Sequence, residues 1–132
     1  MDFEHDETPR PIPASYWVAP GALLAGEYPA AATEETARRK LRAFLNAGVD
    51  TFYNLTTPYD PLLPYAALLA DESAALEMET QHRAFQILDL GVPTPELMTI
   101  ILDNLDADLE AGRTVYVHCW GGIGRTGTVI GC

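Results

Sequence analysis

The sequence predicts an α/β fold, with a mostly parallel central sheet flanked by helices. Two observations predict it. Short apolar runs alternate with longer stretches of helical periodicity, and strands that alternate with helices build parallel sheets with helices packed on their faces. A long capped helix also leads into the apolar run Thr114-Val115-Tyr116-Val117, which ends on a glycine-rich loop. Ligands of open α/β sheets bind beyond the carboxyl ends of the strands, so that loop is where a site is expected. A length of 132 residues supports one domain, and 48% hydrophobic content is enough for its core.

The elements follow in order. Residues 1–14 carry Asp2, Glu4, Asp6 and Glu7 with Pro9, Pro11 and Pro13, and are expected to be a flexible lead-in to a folded domain over 15–132. Tyr16-Trp17-Val18-Ala19 and Ala22-Leu23-Leu24-Ala25-Gly26 flank Pro20-Gly21 and read as two short strands joined by a tight turn. Residues 33–47 combine a Thr33 cap, early acids at Glu34 and Glu35, and apolar positions at Ala37, Leu41, Phe44 and Leu45. With Gly48 closing it, that segment is an amphipathic helix. A strand is expected over 49–55, a proline-bearing loop over 56–64, a second helix over 65–78 and a strand over 83–88. Thr94 then caps a long helix with Pro95 at its first position and Gly112 just past its end. Its core face would be Leu97, Ile100 or Ile101, Leu105 and Leu109.

The formal charge of −11, from 8 basic and 19 acidic residues, argues against a nucleic-acid or anionic-membrane surface and disfavours highly phosphorylated substrates. Arg38, Arg39, Lys40 and Arg42 lie in one stretch, which reads either as a solvated helix face or as a docking patch for an acidic partner. Cys119 and Cys132 do not make a disulfide framework. The acidic opening lacks the order of a secretory signal, and no apolar stretch approaches membrane-spanning length. A reducing, cytoplasmic location is therefore expected, which suits a reactive thiol. His5, His82 and His118 are scattered and no cluster has metal-ligand spacing, so chemistry without metal or cofactor is expected.

The run His118-Cys119-Trp120-Gly121-Gly122-Ile123-Gly124-Arg125-Thr126-Gly127 carries the chemistry. It can form a cup for a phosphate dianion with a sulfur nucleophile at its floor. Successive loop amides make an anion-binding nest, and glycines at 121, 122 and 124 permit the backbone angles it needs. Arg125 offers a planar fork of donors for two phosphate oxygens, and the same field favours the attacking thiolate over the thiol. The bland reading is a strand-to-helix turn around a structural cysteine, which has no need of Arg125 or Thr126. A leaving alkoxide needs an acid. Asp89, which follows a strand and opens a Gly/Pro loop one helix and one strand before Cys119, is the best candidate; a turn-stabilising role is the alternative. Asp60 and Asp71 are weaker rivals.

His-Cys-x5-Arg-Thr resembles the signature of the cysteine-dependent protein tyrosine phosphatase superfamily, its small dual-specificity-like members above all. Asp89-x-Gly91-x-Pro93 resembles the acid loop of the cyclin-kinase-associated branch. The resemblance implies the phosphotyrosine phosphatase II fold and a two-step reaction through phosphocysteine. It assigns Cys119 as nucleophile and Asp89 as acid and then base. Arg125 with the amides of Trp120, Gly121, Gly122, Ile123 and Gly124 becomes the phosphate cradle. Thr126 would hydrogen-bond the sulfur, and His118 would sit behind the loop orienting backbone groups and favouring the thiolate, or else be a core histidine. Trp120 and Ile123 stand where phosphoinositide-directed relatives carry basic residues, which shifts the expected substrate toward phosphoprotein; Trp120 either packs on a neighbouring loop or lines the pocket rim, where Tyr59 would help set depth. Relatives continue past this loop with several more helices, so the chain is expected to lack its C-terminal helices. Cys132 would be a frayed terminal residue rather than a redox partner. A rhodanese-like sulfurtransferase would need no Asp89, and a non-catalytic phospho-ligand module would need neither Cys119 nor Asp89.

Overall fold

The computed structural model describes residues 10–57, 64–87, 93–119 and 124–130. Among these, five strands form one sheet in the order β1-β2-β5-β3-β4. β1 (Ser15–Ala19) and β2 (Leu23–Gly26) are the antiparallel pair at one edge. β3 (Thr51–Asn54), β4 (Gln81–Ala84) and β5 (Val115–His118) join β2 through parallel pairings, so the sheet is mostly parallel as expected. The β1–β2 turn has Gly21 at φ 74°, and the register slips between Trp17 and Ala19, which marks Val18 as a bulge. β4 starts two residues before, and ends four before, the strand expected over 83–88. Its sequence, Gln81-His82-Arg83-Ala84, has no apolar run because it is an edge strand fixed by backbone pairing of Thr51 with Gln81 and Asn54 with Ala84.

α1 (Glu34–Asn46) and α2 (Ala66–Ala75) contribute Leu41, Phe44 and Leu69 to one core, on one face of the sheet. α3 (Pro95–Glu110) and the short α4 (Gly124–Ile130) contribute Ile101, Leu105 and Val129 to the core on the other. Thr33 and Thr94 accept the backbone N–H of Thr36 and Leu97, at 3.3 and 3.1 Å, and each such cap is worth about 1 kcal/mol. On α3, Ile101 is fully buried and Ile100 is 51% exposed, which settles the alternative left open by the periodicity. The same inward stripe holds an unexpected residue, Asp108.

The three longer helices end alike. Past α1, Gly48 and Val49 donate back to Leu45 and Phe44 carbonyls; past α3, Gly112 and Arg113 donate to Leu109 and Asp108. Both glycines have positive φ, as this Schellman closure requires. α2 closes with the same bonds, Glu77 to Ala74 and Met78 to Ser73, but puts Glu77 at φ 54°. With no glycine there, the sequence pattern overran the helix, expected over 65–78.

The basic stretch is neither a bare solvated face nor a free docking patch. Arg38 bonds Glu34, Asp71 and Glu72, and Arg42 bonds Glu72, tying α1 to α2. Arg39 pairs with Glu35 along the helix. Lys40 reaches Glu27 and the carbonyls of Tyr28 and Ala30 at 3.0–3.1 Å, pinning the chain that leaves β2.

Candidate active site

β5 is the middle strand, and in register Gly26, His118 and Asn54 stand side by side at the carboxyl ends of β2, β5 and β3. Period-two alternation divides β5. Val115 and Val117 enter the α3/α4 core, while Tyr116 enters the α1/α2 core. Cys119, 3% exposed, continues the first set and packs with Leu55, Ile87 and Val129. His118 continues the second set, fully buried among Tyr28, Tyr65 and Tyr116, with ring centroids 5.4–5.6 Å away.

His118 Nδ1 lies 3.3 Å from the Cys119 carbonyl oxygen, and Nε2 lies 2.5 Å from the Tyr65 hydroxyl. Burial pushes the imidazole pKa down to about 3, with Cys119's carbonyl opposing and nearby positive groups adding to the shift. The ring is neutral near pH 7. A neutral ring there carries no formal charge beside the Cys119 backbone. Its own carbonyl accepts Leu55 N–H at 3.0 Å.

Arg125 is 2% exposed, and its Nη1 donates to the Ile87 carbonyl at 2.8 Å. Ile87 in turn donates its N–H to Leu55. The guanidinium is thereby anchored to the segment that follows β4. Thr126 is completely buried, and its Oγ1 has no hydrogen-bond partner among the described residues. Tyr16, 42% exposed at the β1 edge, has its hydroxyl pKa raised by partial burial first and by Cys119 second.

The fold thus gathers His118, Cys119, Arg125 and Thr126 at one end of the sheet. Asp89, Trp120, Gly121, Gly122, Ile123, Tyr59, Asp60 and Cys132 lie outside the described residues; Gly124 opens α4. Asp71 is exposed on α2 and paired with Arg38. Sequence reading missed Tyr65, Tyr28 and the Ile87 carbonyl. The alternation Val115-Tyr116-Val117-His118 was a readable signal that His118 and Cys119 leave the strand on opposite faces. Nothing local in the sequence pointed to Tyr65. Among the described residues, no group of three His, Cys, Asp or Glu is placed to hold a metal, and no helix is long and apolar enough to cross a membrane.

Comparison with known proteins identifies the family and the fold. The family model described as Swiss Army Knife protein, DSP-PTPase phosphatase domain (PTP-SAK), matches residues 13–132. The phosphatidylglycerophosphate phosphatase PTPMT2 of Arabidopsis thaliana is 28% identical over 95 residues, 72% of this chain and 39% of that protein. Uncharacterized protein MJECL20 of Methanocaldococcus jannaschii is 50% identical over 44 residues, 33% of this chain and 30% of that one. The chain thus spans 30–39% of these relatives' length. Among solved structures, the active form of Tk-PTP superposes with TM-score 0.62 at 27% identity, covering 89% of this chain and 69% of that one. Kinase associated phosphatase superposes with TM-score 0.64 at 18% identity, covering 81% and 61%, a likeness of fold.

Proposed function

Because the chain belongs to the Swiss Army Knife (PTP-SAK) family of DSP-PTPase phosphatase domains, we propose that it hydrolyses phosphate monoesters of proteins, phosphotyrosine first and phosphoserine or phosphothreonine second, through a phosphocysteine intermediate. The observation that carries this reading is the convergence of buried Cys119, Arg125 and Thr126 at the carboxyl end of the central strand, with Arg125 anchored to Ile87, two residues before Asp89.

In the first step the Cys119 thiolate attacks phosphorus, the S–P bond forms, and the ester P–O bond breaks. Protonated Asp89 gives its proton to the departing oxygen. In the second step the Asp89 carboxylate takes a proton from water, the water oxygen attacks phosphorus, and Cys119 leaves as thiolate. Arg125 and the amides of the loop hold the three non-bridging oxygens, where charge sits in the transition state. Thr126 donates to the sulfur as it departs, which gives its orphaned hydroxyl a partner during the cycle. A thiolate working this way belongs in a reducing compartment, in keeping with a cytoplasmic location.

A lipid phosphomonoester is the second reading, favoured by the likeness to a phosphatidylglycerophosphate phosphatase over 72% of this chain. The deciding experiment is turnover of a phosphotyrosine peptide and of phosphatidylglycerophosphate by the 132-residue chain, beside Cys119→Ser. The peptide should be hydrolysed faster, and loss of the nucleophile should cost about 10⁴–10⁶-fold. Faster lipid turnover replaces the protein-substrate reading; undiminished turnover in Cys119→Ser removes the phosphocysteine route. Phosphate binding without turnover in either protein leaves a phospho-ligand module.

A further inference from the structure

Asn54 closes β3, and its side chain meets two groups of opposite need. Its Oδ1 accepts the Thr56 N–H at 3.0 Å and the Thr56 hydroxyl at 2.6 Å, a side chain closing a turn on the backbone two residues on. A backbone N–H only donates, so the amide has one possible orientation. Nδ2, which also only donates, then faces His82 Nε2 at 3.3 Å. A hydrogen bond there needs the lone pair on Nε2 and a neutral ring with its proton on Nδ1. A protonated ring would set N–H against N–H.

His82 is open to that change. It is an exposed residue of the edge strand β4, and partial desolvation keeps its pKa below the ordinary 6.5. The groups that face it are uncharged near pH 7: the Asn54 amide from β3, and the ring of Tyr65 at the start of α2, 5.1 Å between centroids. Tyr65 in turn meets neutral His118 of β5. The segment that Asn54 shapes bears on the site. Leu55, between Asn54 and Thr56, accepts the Ile87 N–H at 3.1 Å, and the Ile87 carbonyl accepts Arg125. We propose that Asn54 is a positioning residue under the control of His82: while His82 is neutral, the Asn54 amide holds the turn at Thr56, and with it the Leu55 carbonyl that supports the seat of Arg125. Proton uptake by His82 leaves Nδ2 without an acceptor and favours the flipped amide, whose oxygen leaves Thr56 for the new Nε2–H. The arrangement is complete above the His82 pKa and lost as pH falls through it. Neither residue touches a reacting atom. The kinetic part of this inference rests on the phosphatase reading; the amide switch does not.

The test uses the full chain beside Asn54→Ala and His82→Gln. Nitrogen-15 spectra of amides and imidazoles, taken between about pH 5 and 8, follow Thr56 and His82 separately. In the unmodified chain the Thr56 N–H signal should move with the His82 midpoint. In Asn54→Ala that movement should vanish and the His82 midpoint should rise, because the opposing donor is gone. A Thr56 signal indifferent to His82 would overturn the proposal, a result that needs no variant to fold. So would an unmoved midpoint in Asn54→Ala. Turnover of a phosphotyrosine peptide is read as the ratio of kcat/KM in the unmodified chain to that in His82→Gln, whose side-chain oxygen accepts from Nδ2 at any pH. That ratio cancels the titrations of Cys119, Asp89 and the substrate. From its value at about pH 8 it should fall about three- to tenfold by about pH 5, the scale of one hydrogen bond. A ratio that stays flat would make the pair merely structural and overturn the proposal. A folded chain without turnover would overturn the phosphatase reading alone, leaving the spectra to decide the amide switch.

Discussion

The two faces of the sheet meet at β5 and solve the burial of polar groups in opposite ways. The α1/α2 face surrounds neutral His118 with Tyr28, Tyr65 and Tyr116, so its polar atoms are satisfied by uncharged partners. The α3/α4 face is mostly aliphatic around Cys119, and between α3 and the sheet it buries a charged group. Asp108 there accepts from Tyr53 at 2.5 Å and from Arg83 at 3.0 Å, with Arg113 at 3.5 Å. Burial opposes the Asp108 charge, yet the hydrogen bonds from Arg83 and Tyr53 outweigh it and hold its pKa below the ordinary 3.8. The lesson is that a neutral network and an ionic one, on opposite faces of one sheet, fail under different conditions.

Acid should separate them, and this is the largest effect expected. The folded His118 pKa of about 3 lies below its ordinary 6.5, so the unfolded chain takes up the proton first. Stability on this account falls as pH drops from 6.5 toward 3, by up to about 1.4 kcal/mol per pH unit. Denaturant titrations at several pH values should show that slope shrinking in His118→Asn. Taking the difference between the two proteins cancels His82, whose pKa is also shifted down by partial desolvation. An unchanged slope would mean that His118 is less secluded than its surroundings indicate.

Asp108 should sharpen the comparison from the other side. Its depressed pKa gives stability that is full above its ordinary 3.8 and lost as pH falls through the lower folded value. Asp108→Asn should cost about 2–3 kcal/mol near pH 7, toward the low end for a broken buried ion pair because Arg83 and Arg113 keep some solvent contact. The variant should lose the acid limb below pH 4 while the His118 slope persists. Loss of the His118 slope in Asp108→Asn would break the separation of faces.

The smallest effect concerns the helix ends on the two faces. α3 closes on Gly112 and α2 on Glu77, both at positive φ. Glu77→Gly should add about 0.5–1 kcal/mol by relieving the left-handed backbone, a small upward shift in Tm. A loss instead would show that the Glu77 side chain, and not its backbone, matters to the end of α2.

How much could be read beforehand depended on the range of the interaction. The cap at Thr33, the Pro95 start and the Gly48 and Gly112 stops act within one helical turn, so those helix limits were legible. Glu77 uses the same closure with the wrong residue, and β4 owes its limits to a neighbouring strand, so both boundaries were missed.

The sequence by itself determined the chemistry of the loop: His118, Cys119, Arg125 and Thr126 sit within nine consecutive residues, and their spacing already suits a phosphate. It also determined the α/β class, because periodicity is written residue by residue. Only the tertiary structure decided what stands behind that loop. Tyr65 is 53 residues from His118, the Ile87 carbonyl 38 from Arg125, and Tyr53 55 from Asp108. Such partners meet through sheet order and helix packing. A tyrosine whose hydroxyl meets a buried imidazole looks, in the sequence, like any other apolar core position.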